Sequence, residues 1–164
     1  MWIYALIPFC LQALAIGVDE GYFHVRRGLP KWEQIGHPLD TLSYLICLLV
    51  VLYAPFNTTN LYIYCGLAIL SCLMVTKDEF IHKEHCPGAE NWLHALLFIL
   101  HPLVLILTGL IWSVTQGLES FSWLDNSVGL TLFLELQTAA VFIFFLYQVI
   151  FWNIIWKNVP ATKH

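Results

Sequence analysis

Five stretches of this 164-residue chain, roughly 2–25, 38–55, 61–83, 91–115 and 128–156, are apolar over the length a helix needs to cross a bilayer, about 20 residues. Together they take up nearly the whole sequence and leave no stretch for a soluble domain. The composition agrees, with 59% hydrophobic residues, 11% charged residues and a mean hydropathy of +0.73. In hydrocarbon every backbone N–H and C=O must find an internal partner, and helices joined by short loops provide one. The sequence therefore predicts an all-α integral membrane protein, a single domain over 1–164 with five transmembrane helices. Its first partner is the lipid bilayer, and no nucleic-acid partner is expected.

Ala13-Leu14-Ala15 has the small-x-small pattern of a signal-peptide cleavage site, but no basic residue precedes it, so the first span is expected to be retained. The seven Lys and Arg residues set the orientation. Arg26, Arg27 and Lys31 follow the first span, Lys77 and Lys83 follow the third, and Lys157 and Lys163 lie in the tail. Cytoplasmic loops are the ones enriched in such residues. This places the N-terminus outside and the C-terminus in the cytoplasm. Cys10, Cys47, Cys65, Cys72 and Cys86 show no CxxC spacing and read as small apolar helix residues, with Cys86 a possible extra ligand. Pro8 should kink the outer half of the first span, and Pro38 suits the first turn of the second. Trp2, Trp112, Trp123, Trp152 and Trp156 fall near span ends, as an aromatic belt requires.

The polar residues inside the spans are paired. Glu20 and His24 end the first span, His37 and Asp40 open the second, Glu79 and His82 end the third, and Glu90 and His94 open the fourth. Residues three or four apart share a helix face, so each pair projects a carboxylate and an imidazole together. With alternating spans, all four pairs come to the cytoplasmic side, and the short Cys86-Pro87-Gly88 connection folds the third and fourth spans together. The expected architecture is four antiparallel helices around a metal site, with a fifth helix beside them.

Ionisable groups in spanning helices each cost about 2.5–3.5 kcal/mol on insertion scales, so eight of them require compensation. Arg26, Arg27, Lys77 and Lys83 could pair with them at headgroup level; a metal centre is the alternative. Carboxylates with imidazoles suit iron, manganese or zinc better than copper(I). Eight ligands exceed the need of one tetrahedral ion, so two divalent ions, iron or zinc, are expected, bridged by carboxylate. Asp19 should point about 100° away from Glu20. Asp19 is therefore expected to support the ligands from behind or to sit at the interface; Asp78 is a candidate supporting group, and His101, on the face of His94 two turns deeper, could be a ligand, a supporting group or part of a substrate-cavity lining. His85 reads as a solvated loop residue, and Glu135 lies too far along the last span to be a ligand.

The Glu79-x-x-His82 pair is similar to the Glu-x-x-His motif of di-iron carboxylate four-helix bundles. The setting also resembles the membrane desaturases and hydroxylases, whose histidine boxes hold two irons at the cytoplasmic face. The other pairs depart from the motif: Glu20 and Glu90 stand four residues before their histidines, and His37 precedes its acid. His82-Lys83-Glu84-His85 also lacks the histidine doublet of the boxes.

Two activities follow. A di-iron centre would activate oxygen and oxidise a lipid or isoprenoid held between the helices. A di-zinc centre would lower the pKa of a bound water and hydrolyse a lipid ester, amide or phosphate. A non-catalytic metal- or haem-binding membrane protein is the third possibility. Neither a GxSxG nucleophile motif nor a nucleotide-binding glycine loop is present.

Overall fold

The computed structural model describes residues 2–76, 87–118, 121 and 123–156. Over these residues the chain is helical, without strands. Five helices are long and apolar enough to cross a membrane: α1 (Trp2–Arg27), α2 (Lys31–Tyr53), α3 (Thr58–Thr76), α4 (Gly88–Thr115) and α5 (Ser127–Ile155). This is the expected helical class and is consistent with an integral membrane protein. Asp78, Glu79, His82, His85 and Cys86 lie outside the described residues.

α1 changes its winding along its length. A 3₁₀ segment (Trp2–Leu6) precedes an α-helix (Ile7–Val18), a π-helix (Asp19–His24) and a last α turn (Val25–Arg27). Pro8 falls in the first turn of the α segment, where its missing N–H costs little, and the 3₁₀ winding lies just ahead of it.

α2 starts earlier than its apolar run. Gly28, at φ +72°, ends α1, and the Pro30 carbonyl accepts the Glu33 and Gln34 N–H groups at 3.0 and 3.1 Å, so the helix begins at Lys31. The polar residues from Lys31 to His37 are therefore helical. Pro38 lies in the helix interior and not in the first turn as expected. There it withholds an N–H from the Gln34 carbonyl, which instead accepts the Asn153 side-chain amide of α5 at 3.1 Å.

One apolar cluster joins Ala5 and Phe9 of α1, Cys47, Leu48 and Val51 of α2, Tyr64 of α3, the stretch of α4 from Val104 to Val114, and Leu130 and Leu134 of α5. It packs one end of the bundle. Trp112 belongs to this core and not to an interfacial belt: it is fully buried, its indole N–H donates to the Ala54 carbonyl at 3.2 Å, and its ring meets Phe56 edge-on. Trp152 is also buried, whereas Trp2, Trp123 and Trp156 are half-exposed. The cysteines among the described residues are free thiols.

Candidate metal centre

The opposite end of the bundle is polar, and its geometry starts from the π-helix. A π turn carries about one residue more than an α turn, so residues five apart come onto one face. Asp19 therefore joins Glu20 in facing His24. In a regular α-helix the two acids would diverge by about 100°, as expected from the sequence, and the π turn instead turns both toward His24. His24 Nδ1 lies 3.0 Å from Glu20 Oε2, and its Nε2 lies 3.2 Å from Asp19 Oδ2. Glu20 Oε1 accepts the indole N–H of Trp152 from α5. Both Glu20 oxygens are thus engaged.

α4 brings the facing pair. Pro87 initiates this helix, and its carbonyl accepts the Glu90 N–H at 3.0 Å, which puts Glu90 in the first turn and His94 one turn further on. His94 Nε2 lies 3.2 and 3.3 Å from the two Asp19 oxygens. The Asp19 carboxylate therefore sits between the two imidazoles. Glu90 Oε1 lies 4.0 Å from His24 Nε2. Ligand atoms of Asp19, His24, Glu90 and His94 all fall within 4.8 Å of one another, and all four residues are buried.

A second group, His24 with Glu33 and His37, meets the same distance criterion. His37 stacks on His24 with ring centroids 4.7 Å apart and lies 3.8 Å from Glu33 Oε2, one helical turn before it. Asp40, the acid expected to pair with His37, lies further along α2 on the wall of a cavity. Glu33 escaped the sequence analysis because it precedes the apolar run. Arg27, expected as a topology marker and as one of four basic residues able to pair with the acids, is the one whose pairing is seen among the described residues. Its guanidinium holds Glu33 through two bonds, at 2.8 and 3.1 Å, and reaches Glu90 Oε1 at 3.1 Å. This realises, for one residue, the basic compensation that was the alternative to a metal.

Arg27 does not balance the cluster alone. Asp19, Glu20, Glu33 and Glu90 are four buried carboxylates against one guanidinium, which leaves three negative charges among these residues. Glu33 and Glu90 gain from lying at helix N-termini, a contribution of about 0.3–1 kcal/mol each near a surface and up to about 2 when partly buried. The rest requires protons or a cation. His24 Nδ1 faces Glu20, and its Nε2 faces the oxygens of Asp19 and Glu90. That nitrogen has no hydrogen-bond partner among the described residues, and neither does Glu90 Oε2. A protonated imidazole would donate to Asp19 there, whereas a neutral one would turn a lone pair to carboxylate oxygens and need a cation between them. Metal–ligand bonds of about 2.1 Å at angles of about 90–110° place neighbouring ligand atoms about 3.0–3.4 Å apart. The 3.2 Å separations around Asp19 have that value, as direct hydrogen bonds also do, and the 4.0 Å between His24 Nε2 and Glu90 Oε1 exceeds it.

His101, two turns beyond His94, has both ring nitrogens engaged, Nδ1 with the Gln12 amide at 3.1 Å and Nε2 with Ser71 Oγ at 2.9 Å. Ser71 in turn meets Ser43 Oγ at 2.8 Å. Between this chain of hydrogen bonds and the acid cluster lies a cavity of about 360 Å³. Asp19, His24, His37, Asp40 and His94 line one end and Gln12 and His101 the other, while Phe9, Ile16, Leu97, Phe98, Val141 and Phe144 supply apolar walls.

Fold and site thus define a class: a helical bundle of membrane-spanning length with a buried acid–imidazole cluster opening onto an apolar cavity. No protein-family model, curated protein or solved structure matches the chain.

Proposed function

We propose that the protein is a membrane-embedded metalloenzyme, an oxidoreductase that acts on a lipid or isoprenoid molecule held in the cavity. In this proposal four helices run antiparallel around the centre, which lies near the cytoplasmic face, with the N-terminus outside. The observation that carries it is the buried Nε2 of His24, which points at the carboxylates of Asp19 and Glu90 beside the cavity and has no hydrogen-bond partner among the described residues.

One divalent ion fits the four groups Asp19, His24, Glu90 and His94. Glu20 is better suited to hold His24 in its tautomer than to bind the ion, because its oxygens already accept from His24 and Trp152. A second ion, as the number of acids and histidines suggests, would have to draw on Glu33 and His37, and both Glu33 oxygens already accept from Arg27.

The donor set favours iron or manganese over zinc. Four protein ligands close the tetrahedral shell of zinc and leave no position for substrate, whereas catalytic zinc keeps three. A six-coordinate iron would keep two positions open beside the same ligands. The ion supplies the redox chemistry. The chain's own residues orient His24, exclude water through the apolar walls, and hold an aliphatic substrate against the centre.

The test is mass spectrometry of membrane lipids incubated with wild type and with His94→Ala, each supplied with iron(II) or zinc(II) in air with a reductant. Oxidoreduction predicts a lipid that gains oxygen or loses hydrogen only with wild type and iron. A lipid cleaved by water with zinc would replace this reading with the hydrolase.

A further inference from the structure

We infer that Arg27 is the residue that limits this centre to a single cation, its guanidinium taking the place of a second ion between Glu33 and Glu90. The inference rests on the reading of the cluster as a metal site. The two groups of ligand-competent residues share His24 and lie side by side, with the His24 and His37 rings stacked. Two metal ions bridged by a carboxylate stand about 3.5–4 Å apart, and Glu90, a member of the first group that shares Arg27 Nη2 with Glu33, would be that bridge. Its Oε1, however, is bonded to Arg27 Nη2, and both Glu33 oxygens are bonded to the same guanidinium.

A planar fork matches the two oxygens of a carboxylate and stays charged under all conditions, so it compensates Glu33 permanently and with fixed geometry. Its origin is local. Arg27 is the last residue of α1, Gly28 turns the chain, and Glu33 stands in the first turn of α2, so the pair forms across a connection of three residues, Gly28 to Pro30. The positive charge therefore comes with the hairpin and needs no metal supply. Glu33 and His37 form half of a binuclear site whose second cation is part of the chain.

The test counts manganese(II) bound to protein purified in detergent, together with its electron paramagnetic resonance spectrum. Wild type and Arg27→Lys should bind one ion per chain with the spectrum of isolated manganese. Arg27→Gln should bind two, with the exchange-broadened spectrum of a coupled pair, and Glu33→Gln in that background should return the count to one. Glu33→Gln alone should leave the count at one, and this check remains available if Arg27→Gln does not fold. One ion in folded Arg27→Gln, two in wild type, or loss of the ion in Glu33→Gln alone would overturn the role of Arg27. No ion in wild type would overturn the metal reading itself and this inference with it.

Discussion

The side-chain amide of Asn153 donates to the backbone carbonyl of Gln34, the oxygen that Pro38 leaves without its helical donor. A proline in the middle of α2 is thereby tolerated, and the polar end of α5 is tied to the polar start of α2. The neighbouring residue, Trp152, makes the second tie, to Glu20.

Replacing Asn153 with Ala should cost about 0.5–1.5 kcal/mol, the net worth of one such hydrogen bond. In a Pro38→Ala background the carbonyl regains a helical N–H, so the same replacement should cost measurably less. Thermal or denaturant unfolding of the four proteins in a double-mutant cycle checks this. Equal costs in both backgrounds would mean that the Asn153 contact does not serve the proline.

Glu20 should act through His24. Glu20→Gln replaces the carboxylate that orients the ring and should weaken metal binding about 10- to 100-fold without abolishing it, as removal of such a supporting group does elsewhere. Trp152→Phe, which keeps an aromatic ring but removes the N–H donor to Glu20, should weaken it less. Titration with a divalent ion measures both, and complete loss of binding in Glu20→Gln would make Glu20 a ligand.

His101 should be separable from the ion. Its two nitrogens bond to Gln12 and Ser71, so His101→Ala should leave bound metal unchanged. It should also lower stability by about 1–3 kcal/mol per buried group left without its partner. Metal content measured alongside unfolding decides between this role and direct ligation.

Much of the fold was legible because hydropathy reports burial in a membrane directly, and the five apolar runs correspond to the five helices. His24, Glu90 and His94 were legible because regular helical spacing places each on a face with its neighbour. Asp19 was misread because nothing in Asp19-Glu20-Gly21 announces a π turn, and the facing residues change with the winding. Glu33 was missed for the opposite reason: α2 extends through polar residues that carry no hydropathy signal, held by the Pro30 carbonyl. Arg27 was legible as a topology marker and as a possible ion-pair partner, but its particular partners, Glu33 and Glu90, come together only in the fold.

The most direct test of the account is the metal content of the purified protein, measured by elemental analysis without chelator, beside Asp19→Ala, His94→Ala and Arg26→Ala. The account predicts about one divalent ion per chain in wild type, the occupancy of a single four-ligand site. It predicts almost none in Asp19→Ala or His94→Ala, and wild-type content in Arg26→Ala, whose guanidinium turns away to Tyr22. Wild type without bound metal, or Asp19→Ala and His94→Ala with undiminished metal, would contradict it and leave the cluster as an ion-pair network built around Arg27.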